Sequence, residues 1–376
     1  MESKIDMPFH QKLCYVLISV SLIIVALIYG GDIILPILFS ILLANILLPI
    51  THYLARKKFH KSLTIFLPIF LSIIVGAGVI YFLSRQIMHF VEDVPALKER
   101  VNEVSHSFQV WFRASTDITI RKQNQYLNDT VTDLKEKAPD LVGLTFNSLG
   151  GVLVYLVLLP IYTFLILYYR TTIKSFLIKS FKNGSEQKVT EVLSASTTVA
   201  QKYMTGLLIE TTLVFTLNSI GFLVLGIKYA IFLALFAALL NLIPYVGILI
   251  ANVICMLITL ASSNEISTVL WVGAILAVVQ LLDNNFGMPL IVGNKVRINA
   301  LVTIIGVLVG GAICGIPGMF LAIPGLAVIK VICDKVPELN AWGILLGDTH
   351  SNDVLSKLKT EPVNQELADM EASNKI

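Results

Sequence analysis

Long apolar runs separated by short polar segments dominate this chain. Six of these runs are close to the about 20 residues that carry a helix across the hydrocarbon of a membrane. They lie at residues 13–30, 33–54, 62–84, 149–169, 207–226 and 266–282. Charged residues make up only 14% of the chain, whereas a typical soluble domain has about 25%. The pattern predicts an all-α, polytopic membrane protein with about six full spans.

Two further apolar runs are too long for one ordinary span, and each is interrupted near its middle. The breaks are Asn241-Leu-Ile-Pro244-Tyr-Val-Gly247, within residues 229–263, and Gly310-Gly-Ala-Ile-Cys-Gly315-Ile-Pro317-Gly318, within residues 298–329. Because a helix rises about 1.5 Å per residue, each run is long enough to fold back on itself. We therefore predict two broken, re-entrant helical hairpins. Paired broken segments of this kind point to a transport site.

The distribution of Lys and Arg predicts the orientation in the membrane. Two basic loops, at residues 56–61 and 170–188, should both be cytoplasmic. Placing the N-terminus inside satisfies both, and it leaves a turn at Asp32 and the 85–148 region outside.

The same rule bears on the two long runs. If each run crosses the membrane once, Lys295 and Arg297 lie outside; if each is a re-entrant hairpin, they lie inside. Three charges, these two and Glu265, favour the hairpins, and single crossings stay open as the alternative. Either arrangement leaves the C-terminus in the cytoplasm.

The pattern divides the chain into six segments. They are N-terminal membrane helices (1–84), an extramembrane helical hairpin insertion (85–148), a membrane helix (149–170), cytoplasmic amphipathic helices (171–206), a C-terminal membrane transport core with both broken segments (207–333) and a polar, partly disordered cytoplasmic tail (334–376). Apolar residues at heptad spacing in the insertion predict two helices that bury their own seam. The same helices could instead also pack between subunits.

Polar residues at the end of the 266–282 span are candidates for binding. Gln280, Asp283 and Asn284 follow the i, i+3, i+4 spacing and can share a helical face. One carboxylate and two amides suit a hard cation or a polar solute. A helix boundary with turn residues would account for the same three side chains. However, an Asp is unfavourable at the negative end of a helix, which points to a function or a cationic partner.

Glu210 lies near the start of the 207–226 span. A carboxylate there is costly unless it faces water, a partner or the interface, so it is either an interfacial residue or a proton- or cation-binding group. Asn241 is a further candidate, although hydrogen bonds between helices would account for it, as for Asn218 and Asn252.

The two breaks themselves are the most specific site signal. Pro and Gly at the breaks leave backbone N–H and C=O groups without helical hydrogen bonds. Membrane proteins tolerate such groups only inside protein or beside a water-filled cavity. We expect five such residues to line the path: Pro244, Gly247, Gly315, Pro317 and Gly318.

Enzyme chemistry finds no support in the sequence. The chain has no Gly-x-Ser-x-Gly, His-Glu-x-x-His, Walker or Gly-x-Gly-x-x-Gly motif. Its four cysteines have no metal-ligand spacing. We therefore expect no catalytic residues, no metal and no cofactor apart from a coupling ion, H⁺ or Na⁺. No long basic stripe suggests nucleic acid, so the expected partners are membrane lipid and a small polar solute or monovalent cation.

An ordered set of motifs resembles the autoinducer-2 exporter family of bacterial inner-membrane proteins. The motifs are Tyr203-x-x-Gly206, Leu-Gly226-Ile-Lys-Tyr229-Ala, Asn241-Leu-Ile-Pro244-Tyr-Val-Gly247, Asp283-Asn284 with Pro289 and Gly293, and Gly310-Gly-x-x-x-Gly315-x-x-Gly318-x-x-x-Ala322-x-Pro324. The likeness covers roughly residues 15–335 and is densest from 203 to 325. It includes the Asp283-Asn284 pair, whereas Glu210 stands where relatives vary.

The resemblance implies an exporter or permease of small polar molecules in the bacterial inner membrane. It also implies homo-oligomers, with a pentamer as one arrangement, and some relatives are regarded as cation/proton antiporters. Our leading hypothesis is an ion-coupled secondary transporter or exporter of a small polar solute, such as an autoinducer-2-like molecule. The alternatives are a Na⁺ (Li⁺)/H⁺ antiporter and a non-transporting oligomeric membrane scaffold.

Overall fold

The computed structural model describes residues 9–113, 149–180, 186–243, 246–263, 265–287 and 298–347. Ten α-helices account for most of these residues: α1 (Phe9–Arg56), α2 (Lys61–Arg113), α3 (Leu149–Tyr168), α4 (Arg170–Ser180), α5 (Glu186–Val224), α6 (Ala230–Leu240), α7 (Val246–Ser262), α8 (Ile266–Leu282), α9 (Ala300–Lys335) and α10 (Asn340–Leu346). By length and composition, five described helices could cross a membrane, and the bent pair α3–α4 would make six. The predicted all-α polytopic class is confirmed.

The predicted turn at Asp32 is wrong. Helix α1 runs without interruption from Phe9 to Arg56, so the first two apolar runs form one rod of about 70 Å. Gly30 and Gly31 are weak breakers, each costing about 1 kcal/mol relative to Ala in a helix. A break would instead expose several backbone groups to hydrocarbon, which is more costly.

Two other helices are longer than the runs that predicted them. Helix α2 continues past its apolar run as far as Arg113, so the first part of the 85–148 insertion extends a membrane helix. Residues 114–148, and with them the rest of the predicted extramembrane hairpin, lie outside the described residues. Helix α5 joins the amphipathic stretch and the 207–226 span in one helix of 39 residues.

The first long run folds back on itself, as predicted. Helix α6 has 11 residues and α7 has 17. Two contacts fix their antiparallel arrangement. A Cβ on Gly247 would lie only 1.7 Å from the carbonyl oxygen of Leu240. Further along the pair, the Cys255 thiol approaches the carbonyl oxygen of Leu233 at 3.7 Å. The close approach at the tip requires glycine at position 247.

The second long run also folds back, although its helical signature is nearly continuous. In α9, Cys314 and Gly315 have non-helical backbone angles, and Gly315 has a φ of +62°. A Cβ on Gly318 would lie 2.0 Å from the Gly310 carbonyl oxygen, and one on Gly306 would lie 2.5 Å from Leu326. In a straight helix, residues 306 and 326 would be about 30 Å apart. Helix α9 is therefore two antiparallel limbs that reverse at Gly315.

Helix α5 lies at the centre of the described C-terminal half and packs on both hairpins. One apolar cluster joins α5 to α6, α7 and α8 around fully buried residues that include Phe222, Leu233 and Val272. A second cluster joins α5 to the limbs of α9 through Tyr203, Val307 and Ile323. The first cluster is the one that positions the candidate site.

Candidate functional site

Asp283 is buried at a change of helix type. Helix α8 ends at Leu282, and the chain continues as one π-helical turn over Asp283–Gly287. Such turns are rare in proteins, and many of those that occur lie at functional sites. The Asp283 side chain lies over Gly287, because a Cβ added there would be 2.5 Å from Asp283 Oδ1. Sequence reasoning did not identify Gly287 as part of the site, although its place four residues after Asp283 was a signal.

The second acidic candidate, Glu210 on α5, lies beside Asp283. Glu210 is 6% exposed and Asp283 is 3% exposed, and the two carboxyl groups are close enough to interact directly. When both are ionised they repel each other, and the repulsion is strong where water is excluded. A proton shared between them, or a small cation, would remove it. The interfacial interpretation of Glu210 does not describe this position, which is enclosed by protein.

Asn241 connects this pair to the first hairpin. It is the residue that directly follows α6, and its side-chain Nδ2 donates a hydrogen bond to Asp283 Oδ2 at 3.3 Å. The other oxygen of the carboxylate, Oδ1, is buried and has no hydrogen-bond partner among the described residues. The break in the first long run therefore places the Asn241 amide in contact with the buried carboxylate of Asp283.

Amide side chains also surround a small cavity next to the pair. The cavity has a volume of about 20 Å³, which is enough for about one water molecule. Its polar lining consists of four amides, Asn218, Asn241, Asn252 and Gln280. Asn218 is only 2% exposed, and its Oδ1 has no partner in the described part of the chain. Helix–helix hydrogen bonding therefore does not account for that oxygen.

Asn284 does not join the buried group. It is exposed, and its Oδ1 accepts a hydrogen bond from Gln280 Nε2 at 2.9 Å. The three residues at i, i+3 and i+4 are thus divided: Asp283 faces Glu210, Gln280 lines the cavity and Asn284 faces outward. The π-helical turn changes the residue spacing at this point, which a regular helical pattern does not anticipate.

The residues of the two breaks occupy different surroundings. Gly247 is buried at the tip of the first hairpin, whereas Pro244 lies outside the described residues. Gly315, Pro317 and Gly318 are at or near the tip of the second hairpin, which packs on α1 and α5. There the Cys314 thiol faces the Leu27 carbonyl oxygen at 4.0 Å, and Phe320 stacks on Phe39. The structure does not bring this second set to the carboxyl pair.

The side chains at the site are oxygen-bearing groups of one chemical kind. No cluster of three or more His, Cys, Asp or Glu that could hold a metal ion occurs among the described residues. The polar groups at the site are two carboxyls and amide groups. Oxygens of this kind are the ligands that hard cations take in proteins.

Comparison with known proteins places these residues in a family. Residues 17–338 match the model of the AI-2E family transporter. The "Putative transport protein YrrI" of Bacillus subtilis is 26% identical over 316 residues, which cover 79% of this chain and 84% of that protein. The "Putative transport protein YueF" of the same species is 24% identical over 313 residues, covering 80% of this chain and 84% of that relative. The family match spans most of the chain, so this protein belongs to the AI-2E transporter family and is a multi-pass membrane transporter.

Proposed function

We propose that this transporter moves a small polar solute, such as an autoinducer-2-like molecule, and couples that movement to a proton or Na⁺ bound at Glu210 and Asp283. The supporting observation is the placement of two adjacent carboxyl groups inside the helix bundle, with Asn241 from a helix break bonded to one of them. Ionisable residues within membrane segments are costly and mark ion pathways. Broken helices supply the remaining ligands in many secondary transporters.

Electrostatics gives the coupling its physical basis. With a cation or proton bound, the pair carries less net negative charge and can pass through hydrocarbon-facing conformations at lower cost. Without it, two negative charges in a medium of low dielectric hold the site open to water. Ion release and solute movement are thereby linked in one cycle.

A second candidate function is Na⁺ (Li⁺)/H⁺ antiport, in which the cation is itself the transported species. The size of the amide-lined cavity favours it, because about 20 Å³ accommodates an ion or a water but no organic solute. The unpartnered Asn218 oxygen would be one cation ligand. If antiport is the function, Asn218→Leu should reduce the exchange of Na⁺ for H⁺. The wild type should then transport no organic solute.

Flux in proteoliposomes tests both candidates. The full chain is reconstituted, and two fluxes are measured. The first is uptake of an autoinducer-2-type solute with a pH gradient, with a Na⁺ gradient and with neither; the second is H⁺ movement driven by a Na⁺ gradient in the absence of that solute. We expect gradient-dependent flux in the wild type and a loss of about tenfold or more in Asp283→Asn and Glu210→Gln. Glu265→Gln is the matched control, since it removes an exposed carboxylate at the start of the same helix, α8. Equal gradient dependence in all four proteins would refute the coupling site.

We also propose the bacterial inner membrane as the location, with the two basic loops and the C-terminus in the cytoplasm. A single crossing by the continuous α1 then places the start of this helix on the opposite side from Arg56, which differs from the orientation expected from the sequence. The support is the pair of basic loops at residues 56–61 and 170–188. A single cysteine at position 57, in a background without the native cysteines, should react with an impermeant reagent only after the cytoplasmic face is opened. Labelling of intact cells would reverse the orientation.

A further inference from the structure

A second and larger cavity is lined by basic side chains, whereas the carboxyl pair of the candidate site is acidic. It has a volume of about 190 Å³, more than ten times the roughly 10–15 Å³ that one water needs. It lies where α1 ends, α2 begins and the chain bends by 66° between α3 and α4. Its lining combines two cations, Lys61 and Arg170, with Thr51, Thr64, Ala55, Phe59, Ile65 and Leu167.

The positive charge at this cavity has no acidic counterpart in the part of the chain that the structure describes. The sequence contains no Asp or Glu from residue 33 to 91 or from 149 to 185, the segments that build the cavity. Arg170 instead contacts a His52 ring nitrogen at 2.8 Å, and Lys61 lies 4.1 Å from the centre of the Tyr168 ring. Salt bridges within the described residues involve neither cation. Arg170 retains guanidinium N–H groups, and Lys61 its ammonium, for an external anion.

The surroundings identify the source of that anion. One wall of the cavity is apolar, through Phe59, Ile65 and Leu167. The adjoining outer face of α2 exposes a row of large apolar residues that includes Leu63 and Phe66, as expected for contact with lipid chains. Aromatic and basic side chains together are typical of the membrane–water interface. A free phosphate ion would not contact the apolar wall, whereas a phospholipid would contact the cations through its headgroup and the apolar wall through its acyl chains.

We propose that this cavity binds the phosphate group of an anionic phospholipid, with Lys61 and Arg170 as the two cationic ligands. Basic pockets between membrane helices bind such headgroups through charge and shape together. The lipid would hold the C-terminal ends of α1 and α3 against the start of α2. The site shares no residue with the Glu210–Asp283 pair and does not depend on the proposed transport function.

Lipid affinity tests the proposal, measured by native mass spectrometry of the full-length protein in detergent. Phosphatidylglycerol and phosphatidylcholine with the same acyl chains are the two probes. We expect the wild type to prefer phosphatidylglycerol, and the double variant Lys61→Gln/Arg170→Gln to lose about tenfold or more of that affinity. The matched control is Lys57→Gln/Lys58→Gln, which removes the same amount of charge, from the loop just before Lys61, without touching the cavity lining. It should change the affinity by less than about threefold.

Three results would overturn the proposal. The first is equal affinity for the two lipids in the wild type. The second is an equal loss in both double variants, which would mean general attraction by a basic surface. The third is displacement of phosphatidylglycerol by excess inorganic phosphate, which would make this a free-phosphate site.

Lys61 and Arg170 also stabilise the C-terminal ends of α1 and α3, so thermal unfolding is used to check that each variant is folded. If the double variant is unfolded, Lys61→Gln alone replaces it, because that variant leaves the Arg170–His52 contact intact.

Discussion

The two helical hairpins of this protein solve the same geometric problem with different chemistry. The first reverses beside Asn241 and sends an amide to the buried carboxylate of Asp283. The second reverses at Gly315 and brings glycine backbone against glycine backbone, with Gly310 and Gly318 in direct apposition. The comparison shows that a broken membrane segment is not by itself a binding site. What distinguishes the first hairpin is the polar side chain at its break and the acidic neighbours that it meets.

The largest expected effect concerns the second hairpin and is structural. Gly318→Ala places a methyl group 2.0 Å from the Gly310 carbonyl oxygen, so the limbs must separate. We expect a loss of about 1–3 kcal/mol or more in the free energy of unfolding. Gly325→Ala, in the same limb but with nothing within 4 Å, is the control and should not destabilise. The measurement is thermal unfolding of the purified proteins. Equal stability of the two variants would mean that the limbs are not closely packed.

The next effect compares the tips of the two hairpins and is functional. Asn241→Ala removes the hydrogen bond to Asp283 and should lower ion-coupled flux by about tenfold, because the carboxylate loses the partner that orients it. Cys314→Ala, at the second tip, should change flux by less than about twofold. Both are measured in proteoliposomes at matched protein density. If Cys314→Ala were the more damaging substitution, the roles of the two hairpins would be reversed.

A smaller effect is expected at the π-helical turn. Gly287→Ala directs a Cβ to within 2.5 Å of Asp283 Oδ1, and the carboxylate can move aside because it is the end of a side chain. The protein should fold, and the apparent ion affinity should fall by about three- to tenfold. Gly273→Ala on the same helix meets only Met256, at 3.4 Å, and should leave the affinity unchanged. An unaltered affinity in Gly287→Ala would show that the position of this oxygen is unimportant.

The smallest effect is expected at Asn284. This side chain is exposed and bonds only to Gln280 among the described residues. Asn284→Ala should change the free energy of unfolding by about 0.5 kcal/mol or less and the flux by less than about twofold. A loss of flux comparable to that of Asp283→Asn would restore the prediction that Gln280, Asp283 and Asn284 act together.

Hydrophobic length accounted for the class of the fold and for both reversals, because the cost of unpaired backbone in lipid leaves few alternatives. It did not predict the continuous α1, since Gly30, Gly31 and Asp32 resemble a turn locally and only the whole bundle decides whether the helix continues. The single-residue candidates Asp283, Glu210 and Asn241 came together in the structure. Their adjacency is a tertiary property of α5, α6 and α8, which spacing along the chain cannot encode.

The amide-lined cavity is a second feature that the sequence alone could not predict. Asn218 and Asn252 were visible as polar residues within apolar runs, but helix–helix hydrogen bonding was a sufficient explanation for each alone. Only packing shows that four amides surround one space and that the Asn218 oxygen has no partner among the described residues. The π-helical turn after Leu282 likewise has no local signature strong enough to predict the outward position of Asn284.

The most direct test observes the carboxyl pair itself. Infrared difference spectroscopy of the reconstituted protein follows the C=O stretch of carboxyl groups as Na⁺ is added or the pH is changed. A carboxyl signal should change in the wild type and in Glu265→Gln, and that change should be absent from Asp283→Asn and altered in Glu210→Gln. A difference spectrum that is identical in all four proteins would contradict the assignment of ion binding to Glu210 and Asp283.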